Sequence, residues 1–198
     1  LEISGDGTVN LGLFDSDLET VEVARNTDVF LQMVKSSLDI EVGEGSTLTI
    51  ESGTGSTASF IVGGDATIFN DTSVTEVEDL KISFTGSTAT TLTLTGTKTQ
   101  SIEIDEASAT VSLVGSAIIA GGTDAVSSIV ATALTTSVVI GVDANNGAIN
   151  IRELSLGSGG DTVYLEGGQA GADIDTGAGN DTIDASENDD DPMDYIGG

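Results

Sequence analysis

Leu80-Lys81-Ile82-Ser83-Phe84, Thr91-Leu92-Thr93-Leu94-Thr95, Ser101-Ile102-Glu103-Ile104 and Thr110-Val111-Ser112-Leu113 follow one another in the middle of the chain. Each alternates apolar with polar residues, the period of a strand that buries one face and shows the other to water. Ile82, Leu94, Ile104 and Leu113 lie 12, 10 and 9 residues apart. Short strands at that interval predict a sandwich, a barrel or a β-solenoid. Outward from this stretch the same alternation returns at Thr47-Leu48-Thr49-Ile50, Ala148-Ile149-Asn150-Ile151 and Thr162-Val163-Tyr164-Leu165.

The turns choose among these architectures. A meander of hairpins is punctuated by Asn-Gly and Asp-Gly pairs, and here only Asp6-Gly7 and Asn146-Gly147 occur. Most connections are rich in Gly, Ser and Thr, as in Gly53-Thr54-Gly55-Ser56 and Gly86-Ser87-Thr88. Parallel coils need no tight hairpin turn. Four segments also look alike: Leu18-Glu19-Thr20-Val21-Glu22-Val23, Val77-Glu78-Asp79-Leu80-Lys81-Ile82, Thr99-Gln100-Ser101-Ile102-Glu103-Ile104 and Ile151-Arg152-Glu153-Leu154-Ser155-Leu156. The middle two are 22 residues apart, a length that suits one coil of a stacked repeat. The expected fold is all-β, a parallel β-solenoid or β-roll. One stretch, Asp124 to Leu134, reads either way. Val126, Ile129, Val130 and Ala133 suit one short amphipathic helix with Asp124 as N-cap, and the neighbouring Thr and Val suit strand equally well.

Composition narrows the chemistry. The 198 residues hold 33 acids against 5 bases, a formal net charge of -28. Such a polyanion repels nucleic acid and anionic membrane surfaces, and no apolar run is long enough to span a bilayer. With no His and no Cys, the usual catalytic triads, cysteine nucleophiles, zinc sites and haem ligands are excluded. Oxygen ligands remain. Leu, Ile, Val and Phe total 54, enough apolar material for a packed core under an acidic skin. The chain starts at Leu1 without a signal peptide and stops at Gly197-Gly198, so it reads as a segment of a longer polypeptide.

Composition shifts near Ile151, which divides a Ser/Thr/Gly-rich solenoid-like region, 1–150, from an acidic segment, 151–198. From Asp161 onward there are eleven acids and no base. Leu156-Gly157-Ser158-Gly159-Gly160-Asp161-Thr162-Val163 is followed by Gly168-Gln169-Ala170-Gly171-Ala172-Asp173-Ile174 and by Thr176-Gly177-Ala178-Gly179-Asn180-Asp181-Thr182-Ile183. Glycines permit left-handed turns that aim carbonyl oxygens inward, and each Asp brings a carboxylate to the same place. A cage of oxygens without nitrogen or sulfur suits calcium. Upstream, Gly63-Gly64-Asp65, Gly121-Gly122-Thr123-Asp124 and Gly141-Val142-Asp143 are weaker candidates for ion sites, better read as ordinary Asp/Gly turns.

These segments resemble the nonapeptide GGxGxDxUx of the RTX (repeats-in-toxin) family over roughly the last 45 residues. The resemblance implies a parallel β-roll with calcium between turn i and turn i+2. Asp161 and Asp181 would then share an ion with carbonyls around Gly157, Gly159, Gly177 and Gly179. Asp173 would face the opposite edge, partnered from the final turn, where Asp189-Asp190-Asp191 and Asp194 are available. That turn departs from the pattern: it lacks glycines and contains Pro192. The family also implies secretion, of the type I kind, from low-calcium cytosol, with folding outside the cell.

The composition as a whole is similar to that of calcium-dependent bacterial surface-layer proteins of the Caulobacter type and of giant adhesins. A non-catalytic, self-assembling extracellular protein on the bacterial cell surface is the expectation, with its own copies as partners and cell-surface polysaccharide as a further one. Neither nucleic acid nor membrane insertion is expected. The alternatives are a spacer or adhesion module of an RTX adhesin and a calcium-dependent, polysaccharide-active β-helix. The second lacks the aromatic platforms of sugar sites, for the chain has five Phe, two Tyr and no Trp. A third alternative, an adhesive or ice-binding face on the Thr91, Thr93, Thr95, Thr97 ladder, is interrupted at Phe69.

Overall fold

Alternation becomes architecture because the strands whose side chains are described turn their apolar faces to a common interior. The computed structural model describes residues 2–4, 7–11, 20–32, 39–51, 56–71, 77–96, 101–115, 118, 126–143, 151–165, 172–185 and 194–197. The strands begin with β1 (Glu2–Ile3), β2 (Gly7–Leu11), β3 (Thr20–Val23), β4 (Thr27–Gln32), β5 (Asp39–Val42) and β6 (Thr47–Glu51). They continue with β7 (Ser56–Val62), β8 (Ala66–Asp71), β9 (Val77–Phe84), β10 (Thr90–Gly96), β11 (Ser101–Ala107) and β12 (Val111–Val114). The last are β13 (Ser128–Val130), β14 (Val138–Ile140), β15 (Glu153–Ser155), β16 (Thr162–Tyr164), β17 (Asp173–Gly177), β18 (Thr182–Asp184) and β19 (Asp194–Gly197).

Odd-numbered strands form a ten-stranded sheet in sequence order, and even-numbered strands form a nine-stranded one. Neighbouring strands run parallel. Each coil therefore gives one strand to each sheet, and the fold is an all-β parallel β-solenoid. Stacking is residue on residue. Val21, Ile40, Phe60, Ile82 and Ile104 form one interior column of the first sheet; Ala66, Leu92, Leu113, Ile140 and Val163 form one of the second. All ten side chains are buried within a single hydrophobic core. Burying such columns removes apolar surface from water, the dominant favourable contribution to folding.

The look-alike segments are placed in the first sheet as strands β3, β9, β11 and β15. Leu80 pairs with Ile102, as their alignment predicts, and Ile102 leads through Ile129 to Leu154. The first segment is offset, since Val21 reaches the column of Ile82 rather than that of Leu80. A two-residue offset keeps every side chain on its own face, so the core accepts it. Coil length varies, from 19 residues between Thr20 and Asp39 to 27 between Ile102 and Ile129. Of the ambiguous stretch, residues 126–134 are described, and they contain strand β13 with Val126 and Ile129 buried. Pairing with β11 and β15 on its two sides favours the strand.

Both sheets continue across residue 150 through the pairs β13–β15 and β14–β16. The acidic segment is thus stacked on the Ser/Thr/Gly-rich one. On the second sheet Thr49, Phe69 and Thr95 share one register column, so Phe69 does interrupt that threonine ladder. The neighbouring column Thr47, Thr67, Thr93 is unbroken; it lines a shallow groove of about 390 Å³ together with Asp65 and Thr91.

Candidate metal centre

The corner leading into the second sheet has an interior column that changes character along the solenoid. It runs Thr90, Val111, Val138 in register, and the pairing of Val139 with Thr162 and of Thr162 with Thr182 continues it to Asp161 and Asp181. Two coils of valine are followed by two of aspartate. Asp161 is only 1 % exposed. Its Oδ1 accepts the backbone N–H of Val138 at 2.7 Å, and Asp181 Oδ1 accepts the N–H of Asp161 at 2.9 Å. Each carboxylate is therefore tied back to the preceding coil by one oxygen.

The other oxygens have no such tie. Asp161 Oδ2, Asp181 Oδ2 and Thr176 Oγ1 are buried without a hydrogen-bond partner. Leaving a polar atom in that state costs about 1–3 kcal/mol, and more when it is charged. The ion pairs among the described residues, Arg25–Glu44, Lys81–Glu103 and Lys81–Asp105, lie elsewhere. Burial raises the pKa of Asp161; the Val138 N–H opposes that shift and the charge of Asp181 adds to it.

A carboxyl with a raised native pKa holds its proton in the fold at pH values where the unfolded chain has released it. Stability from this group is present at low pH and is lost as pH rises through the native pKa. In chelator, lowering the pH through the interval just above the ordinary aspartate value should therefore raise the melting temperature relative to Asp161→Asn. Parallel melting-versus-pH curves for the two proteins would refute this.

The glycines permit the close stacking of these turns. A Cβ on Gly157 or Gly159 would lie 1.9 Å from Leu134 O or 2.3 Å from Thr136 O. On Gly177 or Gly179 it would lie 1.8 Å from Gly157 O or 1.9 Å from Gly159 O, and these two residues have φ of +73° and +146°. The Gly157 carbonyl also accepts the Ala178 N–H at 3.0 Å. The turn is closed on its other side by Asp175, whose Oδ1 accepts the Gly177 N–H at 2.8 Å.

Asp173 lies apart from the Asp161–Asp181 pair. It is exposed at the start of β17, in the first sheet, in register with Glu153 and Asp194. The register makes Asp173 and Asp194 backbone neighbours in adjacent strands. The Asp194 side chain, Asp189, Asp190, Asp191, Pro192 and the Gly121–Asp124 turn lie outside the described residues. Asp65 is an exposed turn residue whose Oδ1 accepts the Thr91 N–H at 2.6 Å.

Among the described residues no three acidic side chains gather as a metal-binding group. Further oxygens at the Asp161–Asp181 corner would therefore come from hydroxyls and carbonyls. The donor set fits a hard cation: a buried and a half-buried carboxylate in neighbouring coils, each with one buried oxygen that has no hydrogen-bond partner. Sequence reasoning passed over Thr176. Its signal was available, since Thr176 stands two residues after the interior Ile174 and immediately before the Gly177-Ala178-Gly179 turn. Comparison with protein-family models, curated proteins and solved structures finds no match to this chain.

Proposed function

We propose that this chain is a non-catalytic, calcium-dependent structural module of an extracellular bacterial surface protein, and that it assembles with copies of itself. The observation that carries the calcium reading is the buried Asp161 beside the half-buried Asp181, each with one buried carboxylate oxygen that lacks a hydrogen-bond partner, in the two turns that resemble the RTX nonapeptide. Bound calcium would supply positive charge and complete the coordination of their free oxygens. The chain's own part is to hold two like charges in adjacent coils through the Val138 and Asp161 amides. Repulsion among the C-terminal acids then makes cation binding part of folding free energy.

Self-assembly is supported by the form of the solenoid. β1 and β2 lie at one end of the two sheets and β18 and β19 at the other, each with a strand partner on one side among the described residues. The ends of a parallel stack accept a further coil, from the same polypeptide or from another copy, and head-to-tail contacts between copies build filaments or sheets. Lateral apolar docking has less support, because Val142 is the one exposed large hydrophobic residue among those described. A spacer in a large adhesin would use the same module without assembly. No helix among the described residues is long and apolar enough to cross a membrane.

The test is size and shape by light scattering and negative-stain microscopy, with hydrogen exchange, in chelator and in several millimolar calcium. Residues 151–185 are expected to exchange fast in chelator and slowly in calcium, with filaments or sheets in calcium only. A monomer that orders with calcium but never assembles selects the adhesin spacer. Equal exchange in both conditions overturns the calcium reading.

A further inference from the structure

Thr176 is fully buried, with 0 % exposure, and its Oγ1 has no hydrogen-bond partner. It alternates with Ile174 on the interior face of β17. The pairing of Ser155 with Asp175 and the bond from Leu156 N–H to Asp175 O place Thr176 on the coil position after Leu156. The two stacked turns are therefore bracketed by Leu156 and Asp161 in one coil and by Thr176 and Asp181 in the next. Four residues, 177–180, separate Thr176 from Asp181. Leu156 is also buried, so the position itself accepts a wholly apolar side chain. A hydroxyl there, unpaired, is a cost without a return from packing. The return comes if the hydroxyl oxygen has a ligand.

We propose that Thr176 Oγ1 is an additional, neutral oxygen donor of the cation site formed by Asp161 and Asp181, and that it strengthens calcium binding there. This inference rests on the calcium reading. Calcium takes six to eight oxygens, and two carboxylates leave that shell short. A hydroxyl adds an oxygen without adding a third negative charge to the buried corner. It also occupies a position at which the preceding coil offers only the Leu156 side chain. Because the hydroxyl rotates freely, its proton can point away from the ion and its lone pair toward it.

The experiment is calorimetric titration of the full chain with calcium chloride, run on the parent, Thr176→Val, Thr176→Ser and Asp161→Asn, with denaturant unfolding of each in chelator. Thr176→Val keeps the shape and removes the oxygen. It should bind calcium about tenfold more weakly, the effect of one lost ligand hydrogen bond or its equivalent. Its chelated form should be at least as stable as the parent's. Thr176→Ser should bind within about twofold of the parent, since it keeps the oxygen. A Val variant that binds as tightly as the parent overturns the inference while leaving the calcium reading intact. A Val variant destabilised in chelator assigns Thr176 a packing role and overturns it too. A parent that takes up no calcium overturns both readings at once.

Discussion

Gly177→Val should dismantle the C-terminal coils. At Gly177 the backbone has φ +73° and an added Cβ would lie 1.8 Å from the Gly157 carbonyl oxygen. A β-branched residue meets both penalties together: a left-handed conformation it resists, and a contact with backbone that has nowhere to move. The combined cost should be about 3–5 kcal/mol, in the range reserved for backbone strain and overpacking. The Ala178–Gly157 and Leu156–Asp175 bonds depend on the same stacking, so protection from hydrogen exchange should be lost from 156 to 184. Gly160→Ala is the control, because its Cβ would meet Asn180 O at an ordinary 3.5 Å. That change should stay within about 1 kcal/mol of the parent. Equal stability of the two variants by chemical denaturation would refute the argument.

The double change Asp161→Asn with Asp181→Asn should reverse the order of stabilities between two solutions. In chelator the parent holds two carboxylates in an interior column, one above the other, with a free oxygen on each. The amides keep the Oδ1 acceptors for Val138 and Asp161 and remove the charge. The chelated variant should therefore be more stable than the parent by about 1–2 kcal/mol, as expected when buried charge without a counter-ion is neutralised. In calcium the parent gains what the variant cannot, about 2.7 kcal/mol at a concentration one hundred times its dissociation constant. Denaturation curves in chelator and in calcium should then cross over in rank. A variant less stable than the parent in both solutions would show that the carboxylates act through hydrogen bonds alone.

The solenoid was legible because the β period and the coil period are both written in local residue order. Leu80 and Ile82 alternate with polar neighbours, and the pair recurs 22 residues later as Ile102 and Ile104 in the same environment; the register of β9 on β11 follows directly. The offset of Val21 was not legible. Nothing in Leu18–Val23 distinguishes stacking at Leu80 from stacking at Ile82, because both keep apolar residues inside. The choice is made by the intervening coils at Ile40 and Phe60. The 124–134 stretch shows the same dependence, since its composition suits two conformations and its two strand neighbours decide between them.

The site divides along the same line. The sequence by itself determined an all-β chain and its acidic C-terminal turns; the partnership of Asp161 with Asp181 was implied only by the resemblance to the RTX nonapeptide, and the stacked register is what sets the two in neighbouring coils. Only the tertiary structure decided that these two aspartates occupy the interior column of Val111 and Val138, that one oxygen of each is committed to the coil before, and that Thr176 is sealed in at the far side of the turn. The physical reason is that burial and hydrogen-bond satisfaction are properties of a stack. A single turn read alone carries its carboxylate in water, where its second oxygen needs no partner; at Asp161 the coils of Val138 and Asp181 on its two sides remove that water and leave the oxygen to whatever the interior can offer.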